Sequence, residues 1–153
     1  MASTTFSGPV TSTNGFIGNI TGNLTGNIAG TAEITHTDTS AINATATATA
    51  AQVATGYITS TSAAATTITL PTGTLLGAAI GAVRGTVFDL YVDNTAGAST
   101  VTMAVATNGI LSSAAADTPG SFGDLTIAAG ATGIARFTLM FASATAYTFS
   151  RTA

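Results

Sequence analysis

Cysteine, tryptophan and lysine are absent from the chain, and histidine occurs once, at His36. Without thiols there is neither a disulfide framework nor thiolate chemistry, so stability has to come from packing and assembly. Without lysine the basic residues reduce to Arg84, Arg136 and Arg151, scattered among six acidic residues. Duplex nucleic acid is held by a clustered basic face that releases counterions, so no nucleic-acid partner is expected. Charge of either sign is scarce, at 6% of residues against about 25% in an average soluble protein. With a mean hydropathy of +0.50 and a net charge of -3, a free monomer has little electrostatic protection against self-association. A life bound to copies of itself is expected.

Long hydrophobic runs are missing too. The longest, residues 75–83, is broken by Gly77 and Gly81 and falls far short of the roughly 20 residues of a spanning helix, so no membrane partner is expected. The first six residues, Met1-Ala2-Ser3-Thr4-Thr5-Phe6, show no basic n-region and no apolar h-region, which predicts synthesis in a cytoplasm without a secretory signal. The 153 residues leave room for one ordinary domain plus an extension.

What is present begins with a repeat. Phe16, Gly18, Ile20, Gly22, Leu24, Gly26, Ile28, Gly30, Ala32 and Ile34 alternate with a second set dominated by Asn and Thr. Glycine at every fourth position disfavours a helix by about 1 kcal/mol each relative to alanine, and collagen requires glycine at every third. The period of two fits an extended arm over residues 1–40. One chain has nothing adequate to cover its apolar stripe, whereas three arms about a common axis cover one another. Phe16, Ile20, Leu24, Ile28 and Ile34 are therefore the expected trimer interface. The same composition suits a flexible linker; the ordered alternation of large and small residues favours the arm.

Residues 41–56 read as a transition. Their Ala/Thr alternation suits a strand, while residues 50–55 followed by Gly56 suit a single helical turn with a glycine stop. Residues 57–153 read as a β-sandwich, with strands expected at 57–61, 66–70, 86–92, 99–105, 125–128, 134–141 and 147–151. Alternation assigns Phe88, Leu90, Val92, Val101, Met103, Phe137, Leu139 and Phe141 to the core, the last three as the inner face of a second sheet. Residues 93–97, Asp-Asn-Thr-Ala-Gly, read as a hairpin turn, and Asn108-Gly109 and Pro119-Gly120 as punctuation of one long loop. Between Pro71 and Gly85 one short helix is expected, with Thr74 as its cap, Leu76, Ile80 and Val83 on one face, and Gly85 just past its end. The fold class is all-β: an extended trimerisation arm, then a jelly-roll-like sandwich with one short helix.

Catalytic chemistry has few candidates. His36 lies beside Asp38 at the end of the arm, with no enclosing pocket and no Gly-x-Ser-x-Gly elbow anywhere in the chain, so no catalytic residue is expected. Three chains meeting there could form a ring of His36 and Asp38 ligands, but two nearby ligands are weak evidence for a metal, and no cofactor or metal is expected. Asp89, Asp93, Asp117 and Asp124 do not match a calcium-binding loop. Asp89 and Asp93 fall on one side of a strand some 13 Å apart, too far to share a glycosidic bond, and read as outward residues or partners for Arg84 or Arg136. The Thr-x-Thr pairs at residues 45–49, 59–61 and 100–102 raise ice binding, but they sit in separate segments without a common repeat.

Residues 6–16, Phe-Ser-Gly-Pro-Val-Thr-Ser-Thr-Asn-Gly-Phe, running into the Gly-Asn-Ile-Thr repeats, resemble the amino-terminal segment of structural proteins of tailed bacteriophages. Thr69-Leu70-Pro71 and residues 85–97 resemble the β-domain of phage capsid decoration, or cement, proteins and head fibres. The resemblance implies a virion protein that performs no catalysis: a homotrimer on the capsid surface, bound to the major capsid protein and stabilising the head, with room for a further head protein. The alternative is a tail fibre or knob that binds a host receptor, against which stands the shortness of the repeat region as a shaft.

Overall fold

The structure, a computed structural model, describes residues 35–36, 38–111 and 124–152. Phe16, Ile20, Leu24, Ile28 and Ile34, together with Asp117 and Pro119, lie outside the described residues. Thr35–Ala153 forms one compact unit. Along it run strands β1 (Ser40–Ala41) and β2 (Ala46–Thr47), helix α1 (Ala50–Ala54), strands β3 (Tyr57–Thr59) and β4 (Thr66–Thr69) and helix α2 (Gly73–Ile80). Six further strands follow: β5 (Val87–Asp93), β6 (Val101–Ala104), β7 (Gly109–Leu111), β8 (Thr126–Ile127), β9 (Ile134–Ser143) and β10 (Ala146–Arg151). The chain is mostly β, in two mixed sheets: a six-stranded sheet ordered β1-β3-β5-β9-β10-β7 and a four-stranded sheet ordered β2-β4-β6-β8.

The order of strands follows from how the chain winds. β1 and β2, β3 and β4, and β5 and β6 are three successive rungs, each giving one strand to either sheet. After the first two rungs α1 and α2 carry the chain back to start the next. Returning to the same end makes neighbours parallel: β1 with β3, β3 with β5, β2 with β4 and β4 with β6. Only β8, β9 and β10 close the sheets with antiparallel pairings. A jelly roll joins antiparallel strands through Greek keys; the helical returns give a different connectivity here. Within residues 41–56, Ala41 and β2 contribute to the sheets and α1 forms the return between the first two rungs.

Two expected connections also change. Residues 93–97 do not form a hairpin, because β5 and β6 belong to different sheets. The cause is Asn94, which is fully buried. Its side-chain amide donates to the carbonyls of Ser99 at 2.9 Å, Ile127 at 3.3 Å and Ala128 at 3.0 Å, turning the chain across the edge of the sandwich. The second change concerns Phe137, Leu139 and Phe141, which lie on β9, beside β5 in the same sheet. The facing inner surface comes instead from Ile68, Val101, Met103 and Ile127 of the four-stranded sheet.

Both inner surfaces meet in one core. Leu90, Val92, Val101, Met103, Phe137, Leu139 and Phe141 are buried in it, and Phe88 packs against it half-buried. The Phe137 and Phe149 rings stack with centroids 4.8 Å apart and an interplanar angle of 14°. Tyr147 is buried as well, and its hydroxyl donates to the Pro71 carbonyl at 3.0 Å; burial pushes its pKa up to about 12.

The helices are set by local chemistry. Thr49 and Gln52 form a reciprocal capping box at the start of α1, and Gly56, at φ +75°, turns the chain out after it. Helix α2 begins two residues earlier than expected, capped by Thr72 rather than Thr74. It ends at Gly81, whose φ of +65° is left-handed. Leu76 therefore reaches the core and Ile80 packs against it, whereas Val83, beyond the stop, is 64% exposed.

Candidate interaction surface

Strand alternation divides each sheet into an inner and an outer face. On the outer face of the six-stranded sheet, register brings together residues distant in sequence. Tyr57 of β3 lies opposite Tyr91 of β5, and Tyr91 opposite Arg136 of β9. The two tyrosine rings stack, with centroids 6.3 Å apart and planes 20° from parallel. His36 lies against both, 5.5 Å from Tyr91 and 6.0 Å from Tyr57 between ring centroids, and its Nδ1 donates to the Thr55 carbonyl at 3.0 Å. Gly56 makes this approach possible, because a β-carbon there would strike the imidazole.

The carboxylates on this face are engaged separately. Asp93 accepts from the Tyr57 hydroxyl at 3.0 Å, from the Thr95 hydroxyl at 2.6 Å and from the Thr95 amide at 2.9 Å. The Thr95 hydroxyl, then its amide, lowers the Asp93 pKa, while burial and then the Asp93 bond and charge raise that of Tyr57. Asp89 pairs with Arg136 at 3.3 Å and accepts from the Thr138 hydroxyl at 2.7 Å. Both are outward residues, and Arg136 is the partner of Asp89.

Next to this polar strip runs an apolar row. Val87, Met140, Thr148 and Ile110 align across β5, β9, β10 and β7. Val87, Met140 and Ile110 are 58%, 56% and 61% exposed, so the row faces solvent in the isolated chain. Tyr, Arg and Met are the residue types enriched where proteins meet, and Lys and Glu those depleted.

The outer face of the four-stranded sheet is different. Thr67, Thr102 and Thr126 form one row across β4, β6 and β8, and Thr47, Thr69 and Ala104 a second across β2, β4 and β6. Of the Thr-x-Thr segments, Thr47 and Thr102 fall in these rows, in different ones, and Thr59 belongs to β3 of the other sheet. The row is not continued by Thr45 as a free hydroxyl, since its Oγ1 accepts from the Thr67 amide at 3.1 Å.

No grouping of three or more His, Asp or Glu side chains suited to a metal exists among the described residues. Nor is any helix among them long and apolar enough to cross a membrane. His36 lies against two tyrosines and donates to a carbonyl, Asp38 is exposed, and Tyr57, Tyr91, Asp89, Asp93 and Arg136 lie on the outer face of the sheet. Such an arrangement suits contact with another surface. Tyr57 and Tyr91 carry no expectation in the sequence reading; the signal that could have found them is that Tyr57-Ile58 and Tyr91-Val92 repeat one pattern on successive rungs. No protein-family model, curated protein or solved structure matches the chain.

Proposed function

We propose that the chain is a structural virion subunit: a homotrimeric decoration protein, held together by its amino-terminal arm, that binds the outer surface of a phage head and stabilises it without catalysing a reaction. The carrying observation is the outer face of the six-stranded sheet, where exposed Val87, Met140 and Ile110 adjoin Tyr57, Tyr91 and Arg136 in a chain only 6% charged. A trimer repeats each modest patch three times, and effective concentration converts weak contacts with the major capsid protein into tight attachment. Such attachment, being mostly apolar and hydrogen-bonded, depends little on salt.

The test is decoration itself. Purified chain is mixed with undecorated heads, and bound copies per head are counted by quantitative mass spectrometry before and after the heads are heated. The reading expects saturation at a large, symmetric copy number and heads that rupture at higher temperature once decorated. Heads that remain bare, with virions unable to adsorb to host cells when the chain is deleted, would replace it with the receptor-binding fibre or knob.

A further inference from the structure

We infer that the free edge of the first rung, residues 40–48, receives the amino-terminal arm of a neighbouring copy as an added strand. This rests on the trimer in the reading above and names what each arm grips.

The first ground is the edge itself. β1 and β2 are the outermost strands of their sheets at this end, each with a neighbour on one side only. The amides of Ile42 and Ala48 donate to the second rung, to the carbonyls of Thr59 and Thr69, both at 2.9 Å. Amides alternate in direction along a strand, so those of Ala41 and Thr47 point away and face no strand among the described residues. Natural edges are commonly guarded by charge or proline; residues 40–48 contain neither. The core is thinly closed here as well. Ala46, in register with fully buried Ile68, is itself exposed, so an aliphatic side chain laid beyond it gains burial.

The second ground is chemistry that the fold already uses between rungs, and it selects the occupant. At the corner between β1 and β2, Asn43 Oδ1 accepts from the Thr61 amide at 2.8 Å and Thr45 Oγ1 from the Thr67 amide at 3.1 Å. Asparagine and threonine of one rung thus satisfy amides of the next. The arm supplies the same residue types, Asn19, Thr21, Asn23 and Thr25, alternating with Ile20 and Leu24. Laid on the first rung, its polar side continues the corner and its aliphatic side continues the core. Residues 16–34 are roughly twice as long as that rung, which leaves part of the arm for the common axis.

The third ground is where the chain enters the domain. His36 lies against Tyr57 of β3 and Tyr91 of β5, on the opposite side of β1 from the free edge. An arm that reaches the edge without doubling back over β1 therefore belongs to another copy. Arms passed from each copy to the next close a ring of three about one axis.

Because the chain has no cysteine, single-cysteine variants of the full chain report this contact. Chains carrying Asn23→Cys or Asn27→Cys are mixed with chains carrying Thr47→Cys or, as a control on α2, Leu75→Cys, and oxidised with glutathione disulfide. Links between unlike chains are counted by mass spectrometry, and assembly is followed by sedimentation. A disulfide needs close, well-aimed partners, so linking to position 47 is expected to outpace linking to position 75 about tenfold. In the unsubstituted chain the Ala41 and Thr47 amides are expected to exchange hydrogen about tenfold more slowly than in Leu24→Asp, with the β9 amides unchanged as the sign of an intact domain. Equal linking at positions 47 and 75 overturns the inference. So does a chain that stays monomeric, and so does a double variant, Asn23→Cys with Thr47→Cys, that links within itself on dilution. No capsid enters the measurement, so failure of the decoration reading shows only in the head-binding experiment.

Discussion

The two outer faces of the sandwich sit on one core and differ in almost everything else. The face of the six-stranded sheet carries stacked tyrosines, His36, both Asp89 and Asp93, Arg136 and an apolar row. The face of the four-stranded sheet carries Thr47, Thr67, Thr69, Thr102, Thr126 and Ala104 at register positions, with no aromatic residue or charge among them. Threonine at such positions stabilises a strand through its branched β-carbon and keeps a hydroxyl toward water. One face therefore carries varied chemistry, the other a uniform row of threonines suited to a well-hydrated strand surface. The lesson is that the two outer faces divide their chemistry unevenly: among the register positions named, every charge and both tyrosines fall on the six-stranded sheet.

The comparison depends first on the shared core. Phe137→Ala empties the stacked position against Phe149 and should cost about 3 to 5 kcal/mol, read as a lower midpoint in chemical denaturation, with both faces lost together. A midpoint unchanged would mean that β9 presents its other side inward. The tie between the sheets comes next. Asn94→Ala leaves three carbonyls without the amide that joins them and should cost about 1 to 3 kcal/mol, measured by urea unfolding.

The ion pairs separate edge from face. Arg151 and Asp124 meet at 3.1 Å with side chains 20% and 10% exposed, and Arg151 also donates to the Thr126 carbonyl at 2.9 Å. Arg136 and Asp89 are 43% and 38% exposed. Arg151→Met should therefore destabilise by roughly 1 to 3 kcal/mol because a partly buried carboxylate is left behind, whereas Arg136→Met should change stability by about 1 kcal/mol or less. Equal losses in thermal unfolding would erase the distinction. The smallest effect belongs to the threonine face: Thr102→Val should stay within about 0.5 kcal/mol and leave the sedimentation behaviour unaltered.

Much of the strand layout was legible in the sequence. Alternation gave the inward set from Leu90 to Phe141 because side chains of a strand point to opposite faces by necessity. Pairing was not legible, since period two states which side a residue takes and not which strand lies beside it. The rungs hid for a related reason: Ser40 aligns with Ile58 and Ile58 with Val92, spacings of 18 and 34 residues (58 − 40 and 92 − 58), too unequal to read as a repeat. Asn94 was misread as a turn residue because its three side-chain bonds are formed with segments up to 34 residues away. The site was legible only in pieces, as Asp89 and Arg136, because Tyr57, Tyr91 and His36 become neighbours through register alone.

The unequal spacing of the rungs also says where this protein tolerates foreign sequence. The second return holds its extra residues outside the stacked strands, in α2 and the exposed residues Val83, Arg84 and Gly85 that follow buried Ala82. There Gly81 and Gly85 have nothing within 4 Å of where a β-carbon would stand. A peptide grafted between Ala82 and Gly85 would lengthen an excursion already present without shifting strand register. Loop length adds only slowly to the entropy of closure, about 0.6 kcal/mol per doubling. The molecule is in that sense a ready-made display scaffold, with its insertion point just past a helix and the register of both sheets left intact.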